Sequence, residues 1–431
     1  MEVVLSHAGI QYTHQIAFAL DQIGVLKKFY GPFCYHEQSR FVKTLELFSQ
    51  APLIKAVLKR LEKHGRSRLN IEKIDMNPWP EMVTRFSRFS FGRNYFTNNV
   101  LQHYQNRWFD YSVSKKLERL NFDVFIGLSG SALYSLRQAK RLGKITVVDQ
   151  HDIHYQLATR LLAEELKACP ELKETIFYWP PYEPYLEVLR QEMELADFIL
   201  VPSTFSLDSH LEAGIPREKL VLMLHATEPE CEVLDGHFLS RRSTFRVLSV
   251  GTLTQRKGIK YLLEAVKQLN QPDMELTLVG DLSGGSDLLE AYKPYFKWVG
   301  FVPHEELKQY FKQADVVVLP TIYDAFGLSA LEAMASGVPV IVSENCAAGS
   351  DIVRDGVDGF VIPIRNVEVL KDRLLRLYHN QELKEIMGQN AAMRAKAFSW
   401  QSYVNELRAF LGSIQRLKEE QKEERYESKN I

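Results

Sequence analysis

Short apolar runs alternate with amphipathic segments along most of this chain, and that alternation constrains the fold more than any other feature of the sequence. Parallel strands that are buried on both faces read as unbroken apolar runs, and the connections between them are usually helices. In the segment 16–26, for example, the apolar residues recur with the spacing of an amphipathic helix. The pattern predicts a parallel sheet covered by helices. The first series of apolar runs lies at 3–5, 123–128, 145–148, 198–202 and 220–223.

The alternation breaks once, over a polar stretch at about 225–245, and then starts again. The second series of apolar runs lies at 246–251, 276–280, 316–320 and 338–342. We therefore expect an α/β protein with two doubly wound domains and a cleft between them, where ligands bind beyond the carboxyl ends of the strands. The predicted domains are 1–227, with a helical insertion at about 36–115, then 228–398, and finally a last helix with a charged tail at 399–431.

Length, charge and cysteine usage exclude several classes of protein. A chain of 431 residues can bury a sizeable core without disulfides or metals. Lys and Arg number 53 against 54 Asp and Glu, and this balance disfavours a protein that coats nucleic acid. The four cysteines are scattered without a Cys-x-x-Cys pair, which favours a reducing cytosol. Because neither a secretory signal nor a long apolar stretch is recognisable, a cytoplasmic location is expected.

The most informative segment is 321–340, which reads TIYDAFGLSALEAMASGVPV. A buried strand ends before it, a loop carries Asp324, and a helix then carries Glu332. We expect both carboxylates to face a ligand at the N-terminus of that helix. On these residues alone, the interpretation that Asp324 caps the helix and Glu332 favours its positive end is equally open. The backbone amides expected to donate to hydroxyl or phosphate oxygens are those of Phe326, Gly327 and Leu328.

A second segment combines a strand, two adjacent cations, a glycine and the start of a helix. The strand ends at Gly251, the cations are Arg256 and Lys257, and Gly258 precedes the helix. A helix N-terminus with two cations suits an anion, and a diphosphate fits it. The order of a P-loop is absent. Taken alone, the segment is equally compatible with two cations that only solvate a loop.

Together the two segments resemble the family 4 retaining glycosyltransferases (glycosyl transferases group 1), which have the GT-B fold of two Rossmann-like domains facing each other across a cleft. The resemblance is specific over roughly 245–365 and covers most of the chain except about 30–115. This chain departs from the family pattern at two positions. The first glutamate of the E-x7-E segment is Asp324 here. The arginine that often follows the strand glycine is replaced by Thr252, and the resemblance implies that Arg256 takes the place of that arginine.

The resemblance implies a role for each matching residue. Glu332 would bind the ribose hydroxyls, because a carboxylate accepts two hydrogen bonds from a cis-diol. Arg256 and Lys257 would neutralise the diphosphate leaving group. The implied catalytic residues are His151, Asp324, Arg256 and Lys257. The implied donor-binding residues are Gly9, Thr252, Arg256, Lys257, Phe301, Val302, Phe326, Gly327, Leu328 and Glu332.

Two of these residues come from the N-terminal half. The family places a glycine loop after the first strand, and here Gly9 is its single glycine where two are common. The family also places a histidine at the end of a middle strand, close to the donor sugar. His151 and His154 are the candidates. We favour His151, which is nearer the strand end, and interpret His154 as structural.

The resemblance implies a cytoplasmic enzyme that transfers a sugar, with retention of anomeric configuration, from a UDP- or GDP-sugar to a glycan or lipid-linked glycan acceptor. Surface polysaccharide or glycoconjugate synthesis is the expected context. No cofactor and no metal are expected, because Arg256 and Lys257 balance the charge of the diphosphate, and nucleic acid is not expected as a partner. Two alternatives stay open: a UDP-N-acetylglucosamine 2-epimerase-like enzyme on the same fold, and a non-catalytic nucleotide-binding partner subunit.

The segment 40–75 is strongly basic, with nine Lys and Arg against four Asp and Glu. A membrane-surface helix that reaches lipid-linked acceptors has such a composition. Peripheral contact with the inner face of the cytoplasmic membrane is therefore one hypothesis, and a helical insertion with a solvated basic face is the other.

Overall fold

The structure is a computed structural model, and it describes residues 1–9, 13–31, 43, 69–77, 79–80, 83–84, 87, 95–176, 179–227, 244–282 and 290–427. Its strands form one seven-stranded and one six-stranded parallel sheet. The strands are β1 (Val3–Ser6), β2 (Leu26–Gly31), β3 (Ile74–Met76), β4 (Val124–Leu128), β5 (Ile145–Asp149), β6 (Phe198–Val201), β7 (Leu220–Leu222), β8 (Phe245–Val250), β9 (Met274–Val279), β10 (Phe296–Gly300), β11 (Val316–Leu319), β12 (Val340–Ser343) and β13 (Gly359–Ile362).

Helices connect most of these strands, as parallel pairing requires. The described α-helices of eight or more residues are α1 (Thr13–Ile23), α2 (Leu101–Leu117), α3 (Leu133–Arg141), α4 (Tyr155–Ala168), α5 (Glu183–Leu195), α6 (Thr204–Glu212), α7 (Ile259–Leu269), α8 (His304–Gln313), α9 (Leu328–Ala335), α10 (Val367–His379), α11 (Gln381–Ala395) and α12 (Trp400–Glu427). None of the described helices is long and apolar enough to cross a membrane.

Both sheets are doubly wound, which confirms the predicted α/β fold class. The strand order is β3-β2-β1-β4-β5-β6-β7 in the first sheet and β10-β9-β8-β11-β12-β13 in the second. In the second sheet the order therefore reverses between β8 and β11, which pair directly: Val247 lies opposite Val316, and Leu248 lies opposite Val317. Ligands bind outside the carboxyl ends of the strands at such a switch point.

The described residues divide into two compact units. Unit 1 comprises 1–150, 183–200 and 401–431, and unit 2 comprises 151–182 and 201–400. The domain boundaries predicted after residues 227 and 398 stay predictions. Residues 228–243 lie outside the described residues, and so does most of the basic segment 40–75, so the membrane hypothesis drawn from that segment also stays a prediction.

The main difference from the sequence-based expectation lies near the N-terminus. The helix predicted over 16–26 ends at Ile23, and Leu26 already belongs to β2. Gly24 has φ +83°, a left-handed conformation that ends helices and that glycine adopts without strain. The strand itself was missed because Lys27 and Lys28 interrupt its apolar run.

In unit 1, α12 contacts residues at the starts of β4 and β6. The rings of Phe198 and Phe410 meet edge to face at 5.5 Å. Near the other end of the contact, Lys418 Nζ lies 3.1 Å from Asp123 Oδ1. Burial of Val404, Leu407 and Phe410 along one side of α12 explains why the amphipathic pattern of this helix could be predicted from the sequence.

Asp149, at the end of β5, makes the stability of unit 1 depend on pH. Its side chain is buried, and burial raises its pKa to about 7 from a usual value near 3.8. Because the folded pKa is the higher one, the stabilisation is complete below about pH 4 and is lost as pH rises to about 7. From pH 5 to pH 8, wild type is expected to lose about 2–3 kcal/mol of unfolding free energy relative to Asp149→Asn. Denaturant titrations of both proteins at the two pH values measure this, and equal losses would contradict it.

Candidate functional site

The two segments singled out in the sequence lie next to each other at the switch point of the second sheet. The turn Gln255–Lys257 follows β8 and leads into α7. The loop after β11 leads into α9, which begins at Leu328. Since β8 and β11 are adjacent parallel strands, both loops leave the same edge of the sheet. A recess along this edge is lined by Gly251, Thr252, Lys257 and Ile259 among others.

Gly258 allows the two loops to approach each other closely. Its φ is +69°, and a Cβ built on it would lie 1.9 Å from the carbonyl oxygen of Pro320. The Ile322 N–H donates to the carbonyl oxygen of Arg256 at 2.8 Å and fixes the same contact. The backbone around the two cations is therefore held directly against the end of β11.

Lys257 and Asp324 form an ion pair across this contact. The side chains are 22% and 16% exposed, so the pair is largely shielded from water but still reachable. Burial raises the pKa of Asp324, but Lys257 and Arg256 together outweigh it and hold the pKa below its usual value. Asp324 is therefore a carboxylate at neutral pH. The ion pair also holds the Lys257 ammonium at the edge of the sheet where a ligand would bind.

The alternative role of Asp324 as a helix cap is not what the structure shows. The N-cap of α9 is Gly327, and no side chain caps this helix. Asp324 is instead anchored through its backbone, with its N–H donating to Asn345 O at 2.9 Å and its carbonyl accepting from Ala347 N at 3.0 Å. Its carboxylate faces Lys257 and also accepts from the Phe326 N–H at 3.5 Å, just before the positive end of α9.

Gly327 is needed for packing within the protein. Its φ is +82°, and a Cβ at this position would lie 2.6 Å from Cys346 Sγ and 3.2 Å from Ala348 Cβ. The side of Gly327 that a Cβ would occupy is thus filled by protein. Of its neighbours, Phe326 is buried with its ring 5.1 Å from that of His225, whereas Leu328 is exposed.

Arg256 and His151 lie in the same group of charges. The Arg256 guanidinium is 3.3 Å from the Tyr323 carbonyl oxygen and 5.2 Å from the centre of the Tyr323 ring. Burial raises the pKa of Asp152, while Arg256 and His151 act to lower it. Burial lowers the pKa of His151, and Asp152 acts in the opposite direction. The His151 side chain nevertheless keeps an exposed surface through which a ligand can reach it.

Sequence reasoning missed two members of this group. Asp152 interacts electrostatically with both Arg256 and Asp324, and its position directly after His151 was the one signal that could have found it. His225 is surrounded by protein, which lowers its pKa to about 3, and it interacts with His151 and Asp324. Nothing in the sequence around His225 marks it. His154, interpreted as structural, caps α4 by accepting from Gln156 N at 3.4 Å.

Glu332 lies on α9 beside the N-terminus of α8. Its Oε1 is 3.9 Å from His304 Nδ1, and its side chain is 19% exposed. Burial raises the pKa of Glu332, and its neighbours His304 and Lys308 act to lower it. Phe301 and Val302 follow β10, and Phe301 is strongly exposed.

The remaining predicted residues are Gly9 and Thr252. Gly9 belongs to unit 1, where its N–H donates to His7 Nδ1 at 3.0 Å in a turn after β1. Thr252 is exposed directly after Gly251. In unit 2 the structure thus brings His151, Arg256, Lys257 and Asp324 into one group, and the assignment of ligand-binding roles to these residues stays a prediction.

Comparison with known proteins gives this site a family context. Residues 237–394 match the model of a family described as glycosyl transferases group 1. A D-inositol 3-phosphate glycosyltransferase of Paenarthrobacter aurescens is 33% identical over 172 residues, which are 37% of this chain and 42% of that protein. The O-antigen chain mannosyltransferase B of Escherichia coli is 28% identical over 253 residues, which are 53% of this chain and 65% of that protein. The chain therefore aligns with less than two thirds of either curated relative.

Solved structures resemble the chain over nearly its full length. HepE of Anabaena, crystallised with UDP, has a TM-score of 0.62 at 14% identity and covers 96% of this chain and 100% of its own. WaaG, a glycosyltransferase involved in lipopolysaccharide biosynthesis, has a TM-score of 0.60 at 14% identity, with coverage of 95% and 99%. At these identities the likeness concerns the fold alone, and it confirms the GT-B type of fold. The match of residues 237–394 to the family model confirms the resemblance to group 1 glycosyltransferases.

Proposed function

We propose, from the match of residues 237–394 to the glycosyl transferases group 1 model, that this protein is a retaining, metal-independent glycosyltransferase. The donor is a UDP- or GDP-sugar, and the acceptor is a glycan or lipid-linked glycan of a surface polysaccharide or glycoconjugate. The similarity to an O-antigen chain mannosyltransferase supports this choice of acceptor.

The observation that carries the proposal is the placement of Arg256 and Lys257. Both cations belong to the turn after β8, and Lys257 is paired with Asp324 from the loop after β11. The diphosphate of the donor gains negative charge as its bond to the sugar breaks, and cations already in position stabilise that charge. Since Arg256 and Lys257 can supply this stabilisation, the mechanism requires no metal ion.

The ion pair also supports an order of events within the site. Without donor, Asp324 keeps the Lys257 ammonium in place. With donor bound, the diphosphate replaces Asp324 as the partner of Lys257, and the Asp324 carboxylate can accept hydrogen bonds from the sugar hydroxyls. His151 contributes an accessible imidazole next to this group of charges. We infer from the family resemblance that the acceptor attacks on the face that the diphosphate leaves, with a phosphate oxygen taking the acceptor proton.

Glu332→Gln is expected to weaken the binding of a nucleoside diphosphate about tenfold, because a neutral amide oxygen replaces a carboxylate that accepts two ribose hydroxyls. The control ligand is the 2′,3′-dideoxy analogue of the same nucleoside diphosphate, which lacks both ribose hydroxyls. The variant should bind this analogue as well as wild type does. Isothermal titration calorimetry with both ligands measures the two affinities. A loss of equal size for both would show that Glu332 does not contact the ribose.

Product analysis tests the proposed reaction and separates it from the alternatives. The protein is incubated with UDP- and GDP-hexoses and a lipid-linked glycan fraction in the presence of EDTA. We expect acceptor-dependent release of the nucleoside diphosphate and a product with the same anomeric configuration as the donor by NMR. An epimerised sugar formed without acceptor would support the epimerase instead. Tight nucleotide binding with neither transfer nor hydrolysis would support a non-catalytic subunit.

We also propose peripheral contact with an anionic membrane surface, and α2 in unit 1 supports it. Tyr104, Trp108 and Tyr111 are each about half exposed along one side of this helix. Lys115 continues the row, with its ammonium 5.2 Å from the Tyr111 ring centre. Aromatic and basic side chains of this kind favour the lipid headgroup region. Retention on phosphatidylglycerol vesicles at low salt, with none on phosphatidylcholine vesicles, is expected, and no retention on either would overturn the proposal.

A further inference from the structure

A fully buried carboxylate lies directly behind the cationic turn, and the mechanism above does not use it. Glu165, on α4, has no solvent exposure. One of its oxygens accepts from Gln255 Nε2 at 2.6 Å and from Tyr261 Oη at 2.9 Å. The other accepts from Arg365 Nε at 2.7 Å. A buried charge is tolerated only when such partners satisfy it, so these four side chains form one connected network.

Gln255 connects this network to the cations, because it is the residue immediately before Arg256 and Lys257. Its side chain is also fully buried. Its Oε1 accepts from the Lys260 N–H at 3.2 Å, in the first turn of α7, while its Nε2 donates to Glu165. Its backbone N–H donates to Thr175 Oγ1 at 3.1 Å. The start of the turn Gln255–Lys257 is thus fixed by hydrogen bonds in three directions.

Stability alone does not require a carboxylate at this position. A buried ion pair such as that of Glu165 with Arg365 stabilises a protein little compared with apolar side chains of similar volume. A connected polar network does fix the geometry of its members, since each donor and acceptor has a single arrangement that satisfies it. The backbone that Glu165 fixes is the backbone from which Arg256 and Lys257 extend.

We propose that Glu165 is a positioning residue for diphosphate binding, which acts through Gln255 to hold Arg256 and Lys257 where the diphosphate of the donor binds. The inference rests on the proposed function, because it assigns a role within the same site. Glu165 itself does not touch the diphosphate. Its effect is therefore confined to ligands that carry phosphate groups, and this selectivity distinguishes positioning from a general structural role.

Glu165→Gln tests the proposal with little change in volume. The amide presents its NH2 group either to Gln255 and Tyr261 or to Arg365, so one side of the network that holds Gln255 is lost in either orientation. We expect binding of the nucleoside diphosphate to weaken about tenfold, and binding of the matching nucleoside to stay unchanged. The probes are UDP, GDP and ADP with uridine, guanosine and adenosine, in calorimetric titrations of the full chain. Inorganic pyrophosphate, as a competitor, should show the same loss as the diphosphates.

The adjacent Glu164 provides a matched control. It is also a glutamate paired with Arg365, at 3.3 Å, but its side chain is 49% exposed and it has no bond to Gln255. Glu164→Gln is expected to bind all six ligands as wild type does. Gln255→Met is a second variant, which removes both side-chain bonds of Gln255 at similar volume. It should show the same selective loss, and combining it with Glu165→Gln should add little, because both act through one connection.

The outcomes separate this inference from the proposed function. If wild type binds a diphosphate no better than its nucleoside, the proposed function is wrong. If wild type prefers the diphosphate and a folded Glu165→Gln or Gln255→Met variant keeps that preference, the positioning role is wrong. Equal weakening of nucleoside and diphosphate would also overturn it, because that result indicates a general structural effect.

Discussion

Lys257→Met is expected to lower the rate of sugar transfer by about two to three orders of magnitude, which is the usual effect of removing one group that stabilises a developing negative charge. Methionine keeps most of the length of the side chain and removes the ammonium that pairs with Asp324. The rate of nucleoside diphosphate release from the preferred donor measures the effect.

The same substitution should destabilise the protein, because it leaves the largely buried Asp324 carboxylate without its cation. The expected cost is about 2 kcal/mol of unfolding free energy, less than for a fully buried pair because both side chains keep some contact with water. Asp324→Asn in the Lys257→Met background should recover most of this stability, since no unpaired charge then remains. It should not recover activity.

The double variant makes this prediction specific to the ion pair. Denaturant unfolding of wild type, both single variants and the double variant gives the coupling energy between Lys257 and Asp324. Additive effects on stability would show that the ion pair does not exist in solution. A Lys257→Met variant that keeps its activity would show that the ammonium plays no part in transfer.

Gly258→Ala has the largest expected effect on stability. A Cβ at this position would lie 1.9 Å from the carbonyl oxygen of Pro320, and φ is +69°. Left-handed backbone costs an alanine about 1 kcal/mol, and displacing a backbone carbonyl adds several more, so about 3–5 kcal/mol is expected. Since that displacement also moves the turn Gln255–Lys257 away from the end of β11, activity should be lost under conditions where the variant stays folded.

Gly356→Ala is the matched control for this experiment. Its φ is +74°, close to that of Gly258, but nothing lies within 4 Å of the added Cβ. The expected cost is about 1 kcal/mol, from the left-handed backbone alone. Chemical denaturation of both variants measures the difference. Similar losses in the two proteins would mean that the loops after β8 and β11 are not in close contact.

The strands and the cationic turn could be predicted from the sequence because their signals are local. The buried run that becomes β11 is continuous, and Gly258 directly precedes α7. Adjacent parallel strands end at one edge of a sheet, so two loops about 70 residues apart in sequence lie together there. In β2, by contrast, two lysines interrupt the apolar run, although the residues at the other positions of the strand are buried.

The contacts behind the site could not be predicted, because each depends on long-range packing. Glu165 reaches Gln255 across 90 residues and Arg365 across 200. A glutamate on an amphipathic helix normally faces solvent, and no pattern within α4 shows that this one is buried. Gly327 illustrates the same limit, since nothing in the sequence indicates that Cys346 and Ala348 fill the position of its missing side chain.

Binding of a diphosphate by Arg256 and Lys257 is tested by the thermal stabilisation of the protein by UDP, GDP, ADP and CMP, with and without EDTA, in wild type and Lys257→Ala. A ligand that binds the folded state raises the melting midpoint according to its concentration relative to its dissociation constant. We expect that one nucleoside diphosphate stabilises wild type, that EDTA leaves the shift unchanged, and that Lys257→Ala loses it. If no nucleotide shifts the midpoint of wild type, Arg256 and Lys257 do not form a diphosphate site.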